Sequence, residues 1–151
     1  MLNLRHCHFF SVCDGHGHNG QEVSGLMKHR LPFQIEKHMK EALAKHSMTQ
    51  YPESQVLEEC LTKAFAETNS EVYKMVSDVR FSGSTCTSMI TYGRKVYCAN
   101  VGDSRTILIR AAPGNNDACL VRALSRDHKP DDPEESKVIL ANNGRIDSYR
   151  D

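Results

Sequence analysis

The sequence lacks tryptophan, has few aromatic side chains (7% of 151 residues) and carries no net charge, because 19 lysines and arginines balance 19 aspartates and glutamates. A general nucleic-acid binder carries a basic excess, so the even balance disfavours that function. The chain also lacks any stretch that approaches the roughly 20 consecutive apolar residues of a membrane span. With 39% hydrophobic residues, the composition predicts a soluble globular domain that binds neither nucleic acid nor membrane.

The sequence also lacks a cysteine framework, because its six cysteines form no Cys-x-x-Cys pair. They are scattered as Cys7, Cys13, Cys60, Cys86, Cys98 and Cys119. Several lie in apolar runs, where a free cysteine packs as a small hydrophobic side chain. No secretory signal is evident at the N-terminus. We therefore expect reduced thiols and a cytoplasmic location, with the nucleus also open.

Hydrophobic periodicity places a strand and long helices in the first half of the chain. An apolar run over residues 4–13 ends at an Asp-Gly turn, which is typical of a strand. Helical spacing begins near Asn19, and Pro32 is expected to kink or end that helix before a second segment. The clearest helix covers about residues 52–79. Its predicted buried stripe consists of Leu57, Leu61, Phe65, Thr68, Val72, Met75 and Val76.

After Gly83 the period changes to two, which indicates β-strands separated by short turns. The predicted strands cover residues 85–92, 95–101, 105–110 and 119–124. A third helix is expected from Pro133 to about Asn142, with Gly144 as its stop and a further strand starting at Arg145. This order predicts an α+β domain with an antiparallel sheet.

The densest cluster of polar side chains is DGHGHNG at residues 14–20, between the first strand and the first helix. Asp14 offers a hard carboxylate oxygen, and Gly15 lets its carbonyl approach an ion without a side chain in the way. Such oxygens suit magnesium or manganese. His16 could move a proton near neutral pH. A glycine-rich turn with Asp14 bonded to its own backbone explains the same residues equally well.

Two further Asp-containing segments are weaker candidates on their own. Asp103 lies between two predicted strands with a glycine before it, which is a common hairpin turn. Asp127 opens an Asp-His-Lys-Pro sequence, which is also typical of a turn braced by a side chain. Both patterns favour a structural role when each is considered alone.

Five segments taken together change this balance. They are FFSVCDGHG at residues 9–17, FSGST at 81–85, ANVGDSR at 99–105, LSRDHKP at 124–130 and NNGRI at 142–146. In their order and approximate spacing they closely resemble the metal-dependent protein serine/threonine phosphatases of type 2C. The resemblance covers nearly the whole chain.

This resemblance implies a β-sandwich flanked by helices, with a binuclear magnesium or manganese centre at one end. Asp14 would bridge the two metals, and the carbonyl of Gly15 would ligate one of them. His16 would be the general acid that protonates the leaving alkoxide, and Asp103 would belong to an additional, weaker metal site. The implied reaction is attack of a metal-activated water on the phosphorus of phosphoserine or phosphothreonine in proteins.

The sequence departs from the family pattern in its metal ligands. The family has a phosphate-binding arginine and an acidic metal ligand before the loop that contains Asp14. Here residues 1–13 contain no Asp or Glu, and Arg5 lies too close to that loop to match the family arginine. The family's Asp-Gly-x-x-Asp and Asp-Asn motifs do not occur before Asp151. Two divalent cations bring four positive charges, whereas Asp14 and Asp103 offer two negative ones.

We therefore expect residues 1–151 to form part of a type 2C-like catalytic domain, with weak metal binding and little or no phosphatase activity from this chain alone. An incomplete sandwich would leave sheet edges unpaired and core faces uncovered. Pairing of two copies through these edges, as a homodimer, would cover them.

Three other interpretations stay open at this point. A non-catalytic phosphatase-like module could bind phosphoproteins or regulatory partners through the preserved segments. A zinc or copper site could use His6, His8, Cys13, His16 and His18, although their spacing matches no standard zinc pattern. A subtilisin-like serine hydrolase would use His16 and Ser88, but Ser88 lies within a predicted strand, whereas that nucleophile should open a helix.

Overall fold

The structure is a computed structural model and describes residues 7–45 and 54–147. In these ranges the chain forms three helices, α1 (Gly20–Lys45), α2 (Ser54–Met75) and α3 (Pro133–Ala141). The strands in these ranges are β1 (Cys7–Val12), β2 (Gly15–His16), β3 (Gly83–Ser84), β4 (Cys86–Tyr92), β5 (Lys95–Val101), β6 (Ile107–Ala112) and β7 (Asn115–Ala123). No helix in the described ranges combines the length and the apolar character needed to cross a membrane.

All strand pairs are antiparallel, as the short turns predict. The largest sheet has the order β1-β4-β5, and the other two are the pairs β2-β3 and β6-β7. Strand β4 is central, and most of its side chains are buried. In the described part of the chain, β1 and β5 are the edges of the three-stranded sheet. The expected α+β class with antiparallel sheets is confirmed.

The hydrophobic core joins the two long helices to the central strand of the large sheet. Its helical members are Val23, Met27, Leu31, Ile35 and Met39 from α1, and Leu57, Cys60, Leu61, Ala64 and Val72 from α2. The sheet contributes Cys86, Ile90 and Tyr92 of β4 and Cys7 of β1. The three- and four-residue spacing of the helical members gives each helix one apolar face, and these faces are buried together.

Helix α1 runs through Pro32 without interruption, so the predicted break into two segments is wrong. A proline inside a helix removes one backbone donor and crowds the preceding turn. Leu31 and Ile35, on either side of it, are both fully buried. Burial of these side chains in the core favours the continuous helix over the local preference of proline.

Helix α2 is shorter than predicted, because it ends at Met75 rather than near residue 79. Met75 was expected in the buried stripe, but its side chain is 63% exposed, so that assignment is wrong. The chain turns just after it, and Asp78 adopts a left-handed backbone with φ of 50°. The side-chain amide of Asn19 donates to the carbonyls of Ser77 and Asp78, at 2.6 and 3.1 Å, which ties this turn to the start of α1.

Helix α3 begins as predicted, with Pro133 in its first turn and Asp132 as its N-cap. The carboxylate of Asp132 accepts from the backbone amide of Glu134 at 2.9 Å. At the other end the left-handed residue is Asn143, with φ of 60°, one position before the predicted glycine stop. Residues 145–147 form no strand, so the expected strand is absent there, and its remaining positions lie outside the described residues.

The β6-β7 hairpin presents apolar side chains to solvent. The exposed ones are Ile107, Leu108, Ile109, Leu120 and Val121. A strand pair normally buries one face against another layer, and contiguous exposed apolar surface marks a contact region. This exposure agrees with the expectation that core faces of the fold are left uncovered in this chain.

A charged cluster links the two long helices at the edge of the core. The guanidinium of Arg30 on α1 binds both carboxylate oxygens of Glu71 on α2, at 2.5 and 2.7 Å. The side-chain amide of Gln34 donates to the same carboxylate at 2.7 Å. The hydrogen bond from Arg30, with that from Gln34, holds the pKa of Glu71 below its ordinary value against the opposing effect of burial.

Replacing Glu71 by glutamine is expected to lower the urea midpoint of unfolding at neutral pH, with a difference from wild type that shrinks as the pH falls and Glu71 becomes protonated. Because the folded pKa of Glu71 is depressed, its stabilisation is complete above the unfolded pKa and is lost as the pH falls through the folded value. Urea unfolding at a series of pH values measures this. Glu58→Gln, at an exposed position of α2, is the control and should show no such dependence.

Candidate functional site

The polar loop that follows β1 is anchored to the chain segment before β4. The carbonyl of Asp14 accepts from the amide of Thr85 at 2.9 Å, and the amide of Asp14 donates to Oγ1 of Thr85 at 3.2 Å. These backbone contacts leave the Asp14 carboxylate exposed, without a hydrogen bond or ion pair to any described residue. The loop therefore exposes an unpaired carboxylate, while hydrogen bonds hold its backbone in place.

Gly15 fits its position only as glycine. A Cβ added there would lie 2.2 Å from the carbonyl oxygen of Gly20, at the start of α1. Gly20 itself is buried. The loop therefore packs its backbone directly against the helix, and β2, which contains Gly15, pairs with β3 beside it.

His16 lies opposite Gly83 in the β2-β3 pair. A Cβ added at Gly83 would approach Nε2 of His16 to 2.8 Å, so the imidazole lies over this glycine. His16 also lines a cavity of about 460 Å³, together with Val23, Met27, Phe65 and Val72 from the two long helices. The His16 side chain is exposed and therefore accessible to a bound group.

The Asp103 turn meets the Asp14 loop at Thr85. Gly102 has φ of 87°, and a Cβ added there would lie 2.8 Å from Cγ2 of Thr85. The hydroxyls of Thr85 and Ser104 are 2.7 Å apart and share a hydrogen bond. Thr85 therefore contacts both segments, and the structure brings together two loops that are about 90 residues apart in sequence.

Asp103 is exposed and, like Asp14, pairs with no described residue. The carboxylate of Asp127, by contrast, is engaged. The guanidinium of Arg105 binds both carboxylate oxygens of Asp127, at 2.7 and 2.8 Å. This contact lowers the pKa of Asp127. The expected structural role of the segment that starts at Asp127 is supported by this ion pair, because its carboxylate is already occupied.

The described donors suit a hard divalent cation in kind but are few in number. Asp14, Gly15 and Asp103 offer only oxygen atoms, which magnesium and manganese prefer. Within residues 7–45 and 54–147, no group of three or more His, Cys, Asp or Glu side chains is placed to hold a metal ion. These oxygen atoms suit such a cation in kind, and a complete site would need further ligands.

The described residues also bear on the zinc or copper interpretation. His8, Cys13, His16 and His18 form no such group, and His6 lies outside the described residues. The subtilisin-like interpretation also lacks support, because Ser88 lies within β4 and is buried. Its hydroxyl donates to the carbonyl of Ala99 at 3.1 Å rather than facing a bound group.

Two cysteines lie at the base of the Asp14 loop. The hydrogen bond with the Cys86 thiol, helped by Ser11, lowers the pKa of Cys13 against the effect of burial. The same hydrogen bond, together with burial, raises the pKa of Cys86. The sequence indicated only that cysteines in apolar runs pack as small hydrophobic side chains and that Cys13 could belong to a zinc or copper site, so the closeness of Cys13 and Cys86 was not predicted. The link that Thr85 and Ser104 form between the loops was not predicted either, although both residues lie in the motifs that carry the resemblance.

The fold and the site define a class: an α+β domain in which strand-end loops hold unengaged carboxylates beside an exposed histidine. The protein phosphatase 2C family model matches residues 3–150. The chain therefore belongs to the protein phosphatase 2C family, whose members are metal-dependent protein phosphatases.

Individual relatives agree with this assignment. The chain is 34% identical over 135 residues to the Arabidopsis thaliana protein "Probable protein phosphatase 2C 72", covering 89% of this chain and 40% of that protein. It is 32% identical over 148 residues to "Protein phosphatase 2C homolog 3" of Schizosaccharomyces pombe, covering 94% of this chain and 30% of that protein. The chain thus spans less than half the length of these curated relatives.

A solved structure shows the same fold. The crystal structure of serine-threonine phosphatase 2C from Toxoplasma gondii matches with a TM-score of 0.68 and 23% identity. The match covers 94% of this chain and 46% of that chain. The predicted fold is therefore confirmed, and so is its partial extent relative to this neighbour.

Proposed function

We propose that this chain takes part in the metal-dependent dephosphorylation of phosphoserine and phosphothreonine in proteins. The observation that carries the proposal is the meeting of the Asp14 loop and the Asp103 turn at Thr85. Through this contact, the two segments that carry the exposed carboxylates of Asp14 and Asp103 are both anchored to Thr85, close to His16. The family membership supports the reaction class.

In this proposal Asp14 and the carbonyl of Gly15 hold a magnesium or manganese centre, and Asp103 contributes to an additional, weaker site. The bound cations would neutralise charge on the phosphoryl oxygens and lower the pKa of a water. Asp14 supplies negative charge and fixes the position of the centre relative to β1. His16 donates a proton to the leaving alkoxide, for which its exposure on the β2-β3 pair is suitable.

The charge of the site limits what this chain can do alone. Asp14 and Asp103 supply two negative charges, whereas a binuclear centre brings four positive ones. Water and carbonyl oxygens fill coordination positions without neutralising this charge. We therefore propose that the 151-residue chain binds metal weakly and turns over slowly, in line with its coverage of 40% of its Arabidopsis relative.

The test is a manganese titration of the purified chain by calorimetry, together with phosphate release from a phosphothreonine peptide. Asp14→Asn is expected to weaken manganese binding by about tenfold or more, because loss of even an outer partner of a metal site has effects of this size. The slow, manganese-dependent phosphate release should disappear in the same variant. The Asp14 side chain forms no hydrogen bond or ion pair with the described residues and is exposed, so the variant should stay folded.

Asp147→Asn is the matched control, because Asp147 is exposed and its ion pair with Arg145 lies at the surface. It should bind manganese as the wild type does. Manganese binding that is unchanged in Asp14→Asn would contradict the assigned metal ligand. Rapid phosphate release by the wild-type chain, lost in Asp14→Asn, would support the phosphatase function but overturn the proposed weakness.

A non-catalytic role is the second candidate, and the small number of donors in the described site favours it. In that case the chain would bind a phosphothreonine peptide with no phosphate release at any manganese concentration. The homodimer through the β1 or β5 edge is likewise a proposal. Size-exclusion chromatography with light scattering decides it, and a monodisperse monomer would contradict it.

A further inference from the structure

Cys13 and Cys86 face each other at the end of the β1-β4 ladder. The register pairs Cys7 with Tyr92 and Val12 with Thr87, so the next pair along the ladder is Cys13 with Cys86. The backbone hydrogen bond from Thr85 to Asp14 shows that the pairing continues past this position. Directly opposite residues of an antiparallel pair have their side chains on the same face, with Cβ atoms about 4.5–5.5 Å apart.

The phase of the ladder brings these two side chains especially close. Thr85 and Asp14 form a hydrogen-bonded pair, and such pairs alternate with non-hydrogen-bonded ones. The pair Cys13–Cys86 is therefore non-hydrogen-bonded, a geometry in which the Cα atoms are about 4.5 Å apart. Disulfides span Cα separations of roughly 4.4 to 6.8 Å. A bond between these sulfurs therefore needs no rearrangement of the strands.

The two thiols differ in their access to solvent. Cys13 is partly exposed, whereas Cys86 is fully buried. A small oxidant can therefore reach Cys13 first, and the sulfur of Cys86 is already beside it. In this arrangement an oxidant reacts with one cysteine, and a second, resolving cysteine of the same chain then forms the disulfide with it.

We propose that Cys13 and Cys86 form a redox modification site that peroxides convert into a disulfide. The sulfur of Cys13 takes one oxygen from hydrogen peroxide as the O–O bond breaks, which gives a sulfenic acid and one water. The sulfur of Cys86 then attacks that of Cys13, the S–O bond breaks, and a second water leaves. Two thiols and one hydrogen peroxide thus yield one disulfide and two waters, so both atoms and electrons balance.

The disulfide has a defined structural consequence. It covalently fixes the residue before Asp14 to the first residue of β4, at the base of the candidate site. The closed loop contains both α1 and α2. Cross-linking across a long loop restricts the unfolded chain, so the oxidised protein should unfold at a higher temperature than the reduced protein.

The test uses the full reduced chain, treated with hydrogen peroxide, digested without reductant and analysed by mass spectrometry. We expect a linked peptide pair containing Cys13 and Cys86, about 2 Da lighter than the two thiol peptides and lost on addition of dithiothreitol. The thermal midpoint should rise with oxidation and return on reduction. Cys119→Ser, which removes an exposed cysteine on β7, should give the same linked pair.

Cys13→Ser should abolish both the linked pair and the change in thermal midpoint. Cys86→Ser should instead leave a sulfenic acid at Cys13 that a dimedone probe labels. Because Cys86 is fully buried, circular dichroism must show that Cys86→Ser is folded. If Cys86→Ser does not fold, the result for Cys13→Ser decides the proposal. The proposal is overturned if the wild-type chain forms no Cys13–Cys86 link under conditions that oxidise Cys119, or if Cys13 pairs with another cysteine.

Discussion

Replacing Leu31 by alanine is expected to lower the free energy of unfolding by about 3 kcal/mol, within the range of buried leucine truncations. Leu31 is fully buried in the core between α1, α2 and β4. Truncation removes apolar contacts and leaves a cavity, because other members of the same core, such as Ile35 and Leu57, are themselves fully buried and the close-packed core collapses only in part. Urea unfolding followed by circular dichroism measures the change.

Leu140→Ala is the matched control for this substitution. Leu140 also lies in a helix, but its side chain is 60% exposed and α3 buries none of its residues. The same change of side chain should therefore alter stability by less than about 1 kcal/mol. Equal losses at the two positions would contradict the placement of the core between the long helices.

Replacing Gly17 by alanine is expected to lower the free energy of unfolding by about 3 kcal/mol. Two effects add at this position. The backbone has φ of 76°, which costs an L-residue roughly 1–2 kcal/mol. The new Cβ would also lie 2.0 Å from the carbonyl oxygen of Phe81, so one of the two segments must move. That movement would strain the hydrogen bond from the backbone amide of Asn19 to the hydroxyl of Ser82, which is 3.0 Å long.

Gly114→Ala separates the two effects. Gly114 has the same φ of 76°, but a Cβ added there meets nothing within 4 Å. The loss of stability in Gly114→Ala should therefore be only the backbone cost of roughly 1–2 kcal/mol. Thermal or urea unfolding of both variants gives the comparison. If Gly114→Ala destabilises the protein as much as Gly17→Ala, the close approach of Phe81 contributes nothing and the packing of the loop is wrong.

The helices and strands of this chain were largely predictable, because each element carries its own periodicity. The three- and four-residue spacing of apolar residues located both long helices, and the change to a period of two located the strands from β4 onward. The errors lie where a tertiary contact outweighs a local preference. Burial of Leu31 and Ile35 keeps α1 intact through Pro32. The contact of Asn19 with the Ser77 and Asp78 carbonyls accompanies the early end of α2.

The candidate site was predictable in its residues but not in its assembly. The motif around Asp14 identified the loop, and the motif around Asp103 identified the turn. Neither motif predicts that Thr85 hydrogen-bonds to Asp14 and to Ser104, because these two contacts join three segments that are distant in the chain. The roles of Asp14, Gly15, His16 and Asp103 stay predictions that the manganese and phosphatase measurements decide.

The sequence by itself determined the class of the fold, the positions of most elements and the family, since local periodicity and motifs are properties of neighbouring residues. Only the tertiary structure decided which loops meet, which apolar faces stay exposed, and that Cys13 lies opposite Cys86. These depend on strand register and helix packing, in which residues far apart in the chain come into contact. The 151-residue sequence, which has no net charge, therefore specified its helices and strands locally. The register of β1 on β4 then placed Cys13 and Cys86 beside Asp14, the candidate metal ligand.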